Sequence, residues 1–204
     1  RASEVRDFID REHRALTGQG SYFCIVSFGI DTSLPHGGSE DRALQSGDVV
    51  LIDTGTELDG YHSDITRTYS FGPASEAFAK VWQDEKDAQI AAFNAARIGA
   101  TCASVDAAAR DLLTARGYGP DYKLPGLPHR TGHGIGLDIH ESPNLVRGDQ
   151  TSLQTGMCFS NEPMIVVPGQ FGVRLEDHFY MAEDGPRWFT EPSYSLEYPF
   201  GKHA

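Results

Sequence analysis

The chain has no run of about 20 apolar residues, so no segment has the length and character of a membrane-spanning helix. It shows no secretory-signal pattern of basic, apolar and small-residue segments. Cysteine is scarce: Cys24, Cys102 and Cys158 are an odd number at no ligand-like spacing. That argues against a disulfide framework and fits a reducing, cytoplasmic setting. There is no Lys/Arg cluster. With 17 basic against 29 acidic residues and a net charge of -12, nucleic acid and acidic membrane surfaces are poor partners. No linker or low-complexity tract interrupts the 204 residues, and a hydrophobic content of 39% is ordinary for one soluble globular domain.

What the chain does have is acid in paired positions. Asp53 and Asp64 flank the turn Glu57-Leu58-Asp59-Gly60, each equally far from its centre. Glu162 and Glu176 flank Pro168-Gly169-Gln170 in the same way. In an unbulged antiparallel hairpin such partners lie directly opposite, with Cβ atoms about 4.5–5.5 Å apart, where like charges destabilise. Two such pairs, with His133 in the run Thr131-Gly132-His133-Gly134-Ile135-Gly136, point to cations holding them together. Five ligands, four of them acidic, exceed what one metal needs, so a two-metal site is the economical reading. An oxygen-rich set with one imidazole suits Mn²⁺ best, with Co²⁺, Fe²⁺ or Zn²⁺ as alternatives.

The surrounding pattern is mixed. Val5, Phe8, Ile9 and Leu16 recur at helical spacing from Ser3 to Leu16, and Gly18 and Gly20 end that helix. Tyr22 to Phe28 reads as a strand. Asp48–Thr54 and Tyr61–Phe71 are the strands of the first acidic hairpin. A long helix is expected from Pro73 to about Arg97, with Phe78, Val81, Trp82, Ile90 and Phe93 apolar. A second runs from Ser104, a candidate N-cap, to Arg116. Leu124–Gly136 is a loop feeding a short strand, and Met157–Val167 with Gly172–Met181 form the second acidic hairpin. The order hairpin, two helices, hairpin implies two similar halves around one sheet, an α+β architecture.

Other readings compete at single residues. Asp53-Thr54-Gly55 matches the aspartic-protease triplet, but that chemistry needs two carboxyls sharing a proton and the chain has one copy. A homodimer would supply a second copy and leave Asp64, His133, Glu162 and Glu176 unexplained. His36, His129 and His140 share Gly/Pro-rich or Gly-flanked settings with His133, whereas His13, His62, His178 and His203 read as structural or solvated.

The stretches PHGGSEDRALQSGDVVLIDTG, LDGYHSDITRT, LPHRTGHGIGLDIHE, GMCFSNEP and GVRLED resemble, in order and spacing, the pita-bread metallopeptidases. That family includes methionine aminopeptidases, Xaa-Pro aminopeptidases and prolidases. They span residues 35 to 177, and the short interval from Glu162 to Glu176 is similar to prolidases and Xaa-Pro aminopeptidases. The resemblance implies a pita-bread fold and two divalent ions on Asp53, Asp64, His133, Glu162 and Glu176. It implies hydrolysis of the bond between an N-terminal residue and proline in a dipeptide or short peptide. Glu162 would act as general base, with His36 and His140 aiding catalysis. His129 and Arg174 would position substrate, and Thr66 would hydrogen-bond a ligand or the bridging water. It also implies a single catalytic domain over 1–204, without the N-terminal domain and first helical segment of full-length relatives, and a homodimer. Met164 stands where the family usually has Gly, which predicts an altered pocket floor. A lyase or non-peptide hydrolase on the same metal scaffold, and a non-catalytic peptide-binding module, are the rival functions.

Overall fold

The computed structural model describes residues 1–202, so His203 lies outside the described residues. Helix α1 (Ala2–Thr17) ends at Gly18, whose left-handed φ of 79° closes the last turn. Its Ala2, Val5 and Ile9 pack on Val26, Phe28 and Val50. Phe8 and Leu16, expected on the same face, point to solvent at 52% and 79% exposure. The buried stripe is narrower than the apolar pattern because one sheet face covers only one side of the helix.

Strand β1 (Ser21–Phe28) runs antiparallel to β2 (Val49–Leu58), with Ile25 opposite Asp53. After β2 the chain turns on Asp59-Gly60, both with positive φ (53° and 83°), the two-residue hairpin turn that matches strand twist. It returns as β3 (Tyr61–His62) and β4 (Ile65–Ser70). Leu58 pairs with Tyr61 and Asp53 with Thr66. The expected opposition of Asp53 and Asp64 is therefore corrected by two residues, because the turn is Asp59-Gly60 rather than a four-residue loop. Asp64 sits in the break between β3 and β4.

Helix α2 (Glu76–Ala95) starts where Ser75 accepts a hydrogen bond from the Phe78 amide at 3.2 Å, three residues after the expected start at Pro73. Of its expected apolar residues, Ile90 is 40% exposed. Helix α3 (Cys102–Ala115) is capped by Thr101, whose hydroxyl accepts from the Ser104 amide. Ser104, the expected N-cap, instead lies in the first turn and donates to the Thr101 carbonyl.

The second half holds β5 (Gly132–Gly134), β6 (Glu141–Leu145), β7 (Cys158–Asn161), β8 (Met164–Val167), β9 (Phe171–Arg174), β10 (Asp177–Ala182) and β11 (Gly185–Trp188). The expected long strands of the second hairpin are each interrupted, one at Glu162-Pro163 and the other at Leu175-Glu176. Three ladders result: β1-β2-β3 with β4 on β2, β11-β10-β7-β5-β6, and β8-β9. Among the described residues one isolated antiparallel bridge, Thr66 to Glu176, joins the halves. The sheet is thus segmented rather than continuous. The interruptions gather the acidic residues, while Trp82, Ala88, Val105 and Leu113 of the helices pack in one core with Phe159, Leu175 and Phe179. Among the described residues no helix is long and apolar enough to cross a membrane.

Candidate metal centre

Asp53, in the middle of β2, is buried. Its Oδ2 accepts from Arg174 Nη2, while Oδ1 is buried with no partner. Asp64 reaches the same point from the β3–β4 break, and its Oδ1 is likewise unpartnered. Both hairpins converge through Thr66: its hydroxyl donates to Glu176 Oε2 at 2.7 Å, leaving Glu176 Oε1 unpartnered. In the second hairpin Met164 pairs with Arg174 on one side of the interruption and Asn161 with Asp177 on the other. Glu162 and Glu176 occupy the intervening register, as the hairpin symmetry predicts.

His133 enters between two glycines because its neighbours are crowded by backbone. A Cβ on Gly132 would lie 2.1 Å from the Ser160 carbonyl oxygen, and one on Gly134 would lie 2.7 Å from that of Glu141. The His133 Nδ1 sits 2.9 Å from its neighbour's carbonyl, Gly134 O. That contact requires a proton on Nδ1 and leaves the Nε2 lone pair free, the tautomer a metal ligand needs. Nε2 lies 3.3 Å from Glu162 Oε1 and 3.7 Å from Asp64 Oδ2.

The structure therefore brings all five predicted ligands together. Three overlapping sets, Asp53–Asp64–Glu176, His133–Glu162–Glu176 and Asp64–His133–His140, each place donor atoms within 4.8 Å of one another. Burial, reinforced by the charge on Asp53, pushes the Asp64 carboxyl up to about 8. Burial raises Glu162 to about 7 and Glu176 well above the usual range. Buried, unpartnered acceptors normally cost stability. Three of them converge here, Asp53 Oδ1, Asp64 Oδ1 and Glu176 Oε1, with a free imidazole nitrogen alongside. This is a donor set that fits hard or borderline divalent cations.

The centre forms one wall of a cavity of about 710 Å³. Tyr22, Phe23 and Ile25 give it an apolar side, and His36, His129 and His140 a polar one. His36 is exposed. His140 is exposed; its ring stands edge-on to His133 at 4.4 Å, and partial desolvation followed by that neighbour lowers it to about 4. His129 is held by Nδ1 against the Arg130 carbonyl at 2.7 Å, and its Nε2 is buried and unpartnered. Burial and the Arg174 charge lower it to about 3, so it faces the cavity as a neutral acceptor. Arg174 is buried, spanning Asp53, Thr66 Oγ1 at 3.2 Å and the Pro35 carbonyl at 3.3 Å. Met164 lies in the core with its sulfur 3.8 Å from Arg174 Nη1. It is not among the residues lining the cavity and reaches it only through Arg174.

Sequence reasoning missed Arg130, which lines the cavity and is tied through Nη1 to Asn144 Oδ1 at 3.0 Å. Its place between His129 and Thr131 was the available signal. Of the histidines read as structural, His13 meets Ser21 Oγ at 2.9 Å and His62 packs edge-on to Tyr22.

Residues 1–183 match metallopeptidase family M24, and the chain belongs to that family. It is 41% identical over 177 residues to the Xaa-Pro dipeptidase of Lactobacillus helveticus, covering 87% of this chain and 47% of that protein. The crystal structure of dipeptidase PepE from Mycobacterium ulcerans superposes with a TM-score of 0.89 at 41% identity, over 96% of this chain and 52% of the other. Prolidase from Pyrococcus furiosus gives 0.86 at 35% identity, over 92% of this chain and 55% of that one. The fold is the α+β pita-bread fold. The chain spans about half the length of the curated relatives it matches.

Proposed function

We propose that this chain is the catalytic part of a dinuclear metallopeptidase that cleaves the bond between an N-terminal residue and proline. The observation that supports it most is the convergence of four carboxylates, three with unpartnered buried oxygens, on one free imidazole nitrogen beside a cavity of peptide size. Names of similar proteins, Xaa-Pro dipeptidase and prolidase, support the substrate class.

Asp53, Asp64, His133, Glu162 and Glu176 would hold two divalent ions, Mn²⁺ being our first choice for so oxygen-rich a set. Such ions supply an acidified water and a polarised scissile carbonyl. The chain's own residues do the rest. Glu162 takes the proton of the attacking water and returns it to the prolyl nitrogen, which has no N–H and must be protonated to leave. His140, neutral and beside His133, donates an N–H to the oxyanion as the carbonyl becomes tetrahedral. His36, at the exposed side of the cavity, aids His140 in stabilising the tetrahedral intermediate or protonating the prolyl nitrogen. Arg174, which lines the cavity and also holds Asp53, positions substrate together with His129, whose cavity face accepts a hydrogen bond from it. The three free cysteines among the described residues support a reducing, cytoplasmic setting.

The test of the substrate class is kcat/KM for Ala-Pro, Ala-Ala and Met-Ala-Ser on Mn²⁺-loaded protein. Ala-Pro is expected to exceed Ala-Ala by at least about 10-fold, the lower bound for ring-sized shape discrimination, and Met-Ala-Ser to be cleaved negligibly. Equal rates on Ala-Pro and Ala-Ala would remove the prolyl assignment while leaving a metallohydrolase.

A further inference from the structure

The interruption between β7 and β8, and between β9 and β10, frees the backbone groups that a continuous ladder would satisfy. Buried amides and carbonyls must find partners elsewhere. The amides of Glu162 and Glu176 donate to the Thr131 and Thr66 carbonyls, while groups of the residues just before them reach α2. The Leu175 amide donates to Glu85 Oε1 at 3.2 Å. The Leu175 carbonyl accepts from Gln89 Nε2 at 3.1 Å. The same Gln89 nitrogen lies 3.3 Å from the Asn161 carbonyl and 3.0 Å from Asp177 Oδ2. In return Asn161 Nδ2 donates to the Gln89 carbonyl at 2.8 Å.

The carbonyls so held belong to the Asn161–Glu162 and Leu175–Glu176 peptides, the residues immediately before two of the proposed ligands. Glu85 and Gln89 are one helical turn apart, so a single face of α2 reaches both arms of the hairpin. Both are fully buried, and neither lines the cavity. Their helix is itself anchored, with Trp82 buried and its Nε1 donating to the Thr68 carbonyl at 2.8 Å. Glu85 Oε2 has no partner. Burial raises its pKa well above the ordinary carboxylate range.

We propose that Glu85 and Gln89 are positioning residues for the metal centre. They stand in for the missing ladder partners and set the spacing of Glu162 and Glu176. The proposal rests on the reading of those glutamates as ligands. A group that only filled the core would alter folding stability alone. A group that sets ligand spacing alters the affinity of the folded site as well, by about 10–100-fold for outer partners of metal ligands.

The experiment is equilibrium dialysis of Mn²⁺ against wild type, Glu85→Gln, Glu85→Met and Gln89→Asn, with the melting temperature of each metal-free protein measured in parallel. Glu85→Gln keeps the acceptor for the Leu175 amide and is expected to bind two ions with wild-type Kd. Glu85→Met removes the acceptor, and Gln89→Asn retracts the amide by one methylene. In each, the Kd of the more weakly held ion should rise at least about 10-fold at a temperature where the protein is folded. Gln89→Asn, the milder change, keeps the test open if Glu85→Met does not fold. Unchanged Kd in the folded variants would overturn the proposal. A wild type that holds fewer than two ions would overturn the ligand reading beneath it.

Discussion

Asp64→Asn is expected to lose at least one metal ion and nearly all peptidase activity. The loss should be at least about 10³-fold in kcat, the several kcal/mol a metal ion contributes at 1.36 kcal/mol per tenfold. The same substitution should have an opposite effect on the metal-free protein. Burial and Asp53 raise the Asp64 carboxyl in the folded state to about 8, whereas in the unfolded chain it titrates near 3.9. The unfolded state therefore releases its proton first. Metal-free wild type loses stability as pH rises above about 4, until the folded value near 8 is passed. Asn carries no such proton. Metal-free Asp64→Asn should melt higher than metal-free wild type at pH 8, with the advantage vanishing near pH 4. Full metal occupancy in the variant, measured by elemental analysis, would defeat the assignment of Asp64 as a ligand.

His140→Ala should cut kcat by roughly 10²–10⁴-fold, the range for a lost proton-transfer or oxyanion contact, while metal content stays at the wild-type level. The reason is position. His140 lies at the cavity face beside His133 and shares a possible donor set with Asp64 and His133. Asp64 and His133 are also within reach of the other carboxylates, so the ions have sufficient ligands without it. Loss of metal together with activity would instead place His140 among the ligands.

How much of this was legible beforehand differs between the two hairpins. In the second, the pairs on either side of the interruption keep the expected register, although the Glu162 and Glu176 amides bond to Thr131 and Thr66 rather than to each other. The first was misread by two residues, because Glu57 and Leu58 were assigned to the turn although Asp59-Gly60 makes it alone. Asp53 and Asp64 still converge because a shift of two keeps side chains on the same strand face. Thr66, not Asp64, pairs with Asp53, and both project toward Glu176. The helix faces were less legible. Nothing local distinguishes Glu85 and Gln89 from solvated polar residues; only the broken ladder opposite them gives them partners. Arg130 was passed over because one arginine in a polar loop carries no periodic signal. Phe8 and Leu16 fit the apolar stripe of α1, yet the sheet beneath does not extend to cover them.

Five residues would build a two-metal centre. Its most direct measurement is the Mn²⁺ stoichiometry of the purified chain after dialysis against the ion, determined by elemental analysis beside the melting temperature before and after chelation. Two ions per chain, with a melting temperature that falls on chelation because ligand binding stabilises the folded state, is the result expected. One ion or none in a folded sample, with melting unchanged by chelator, would contradict it.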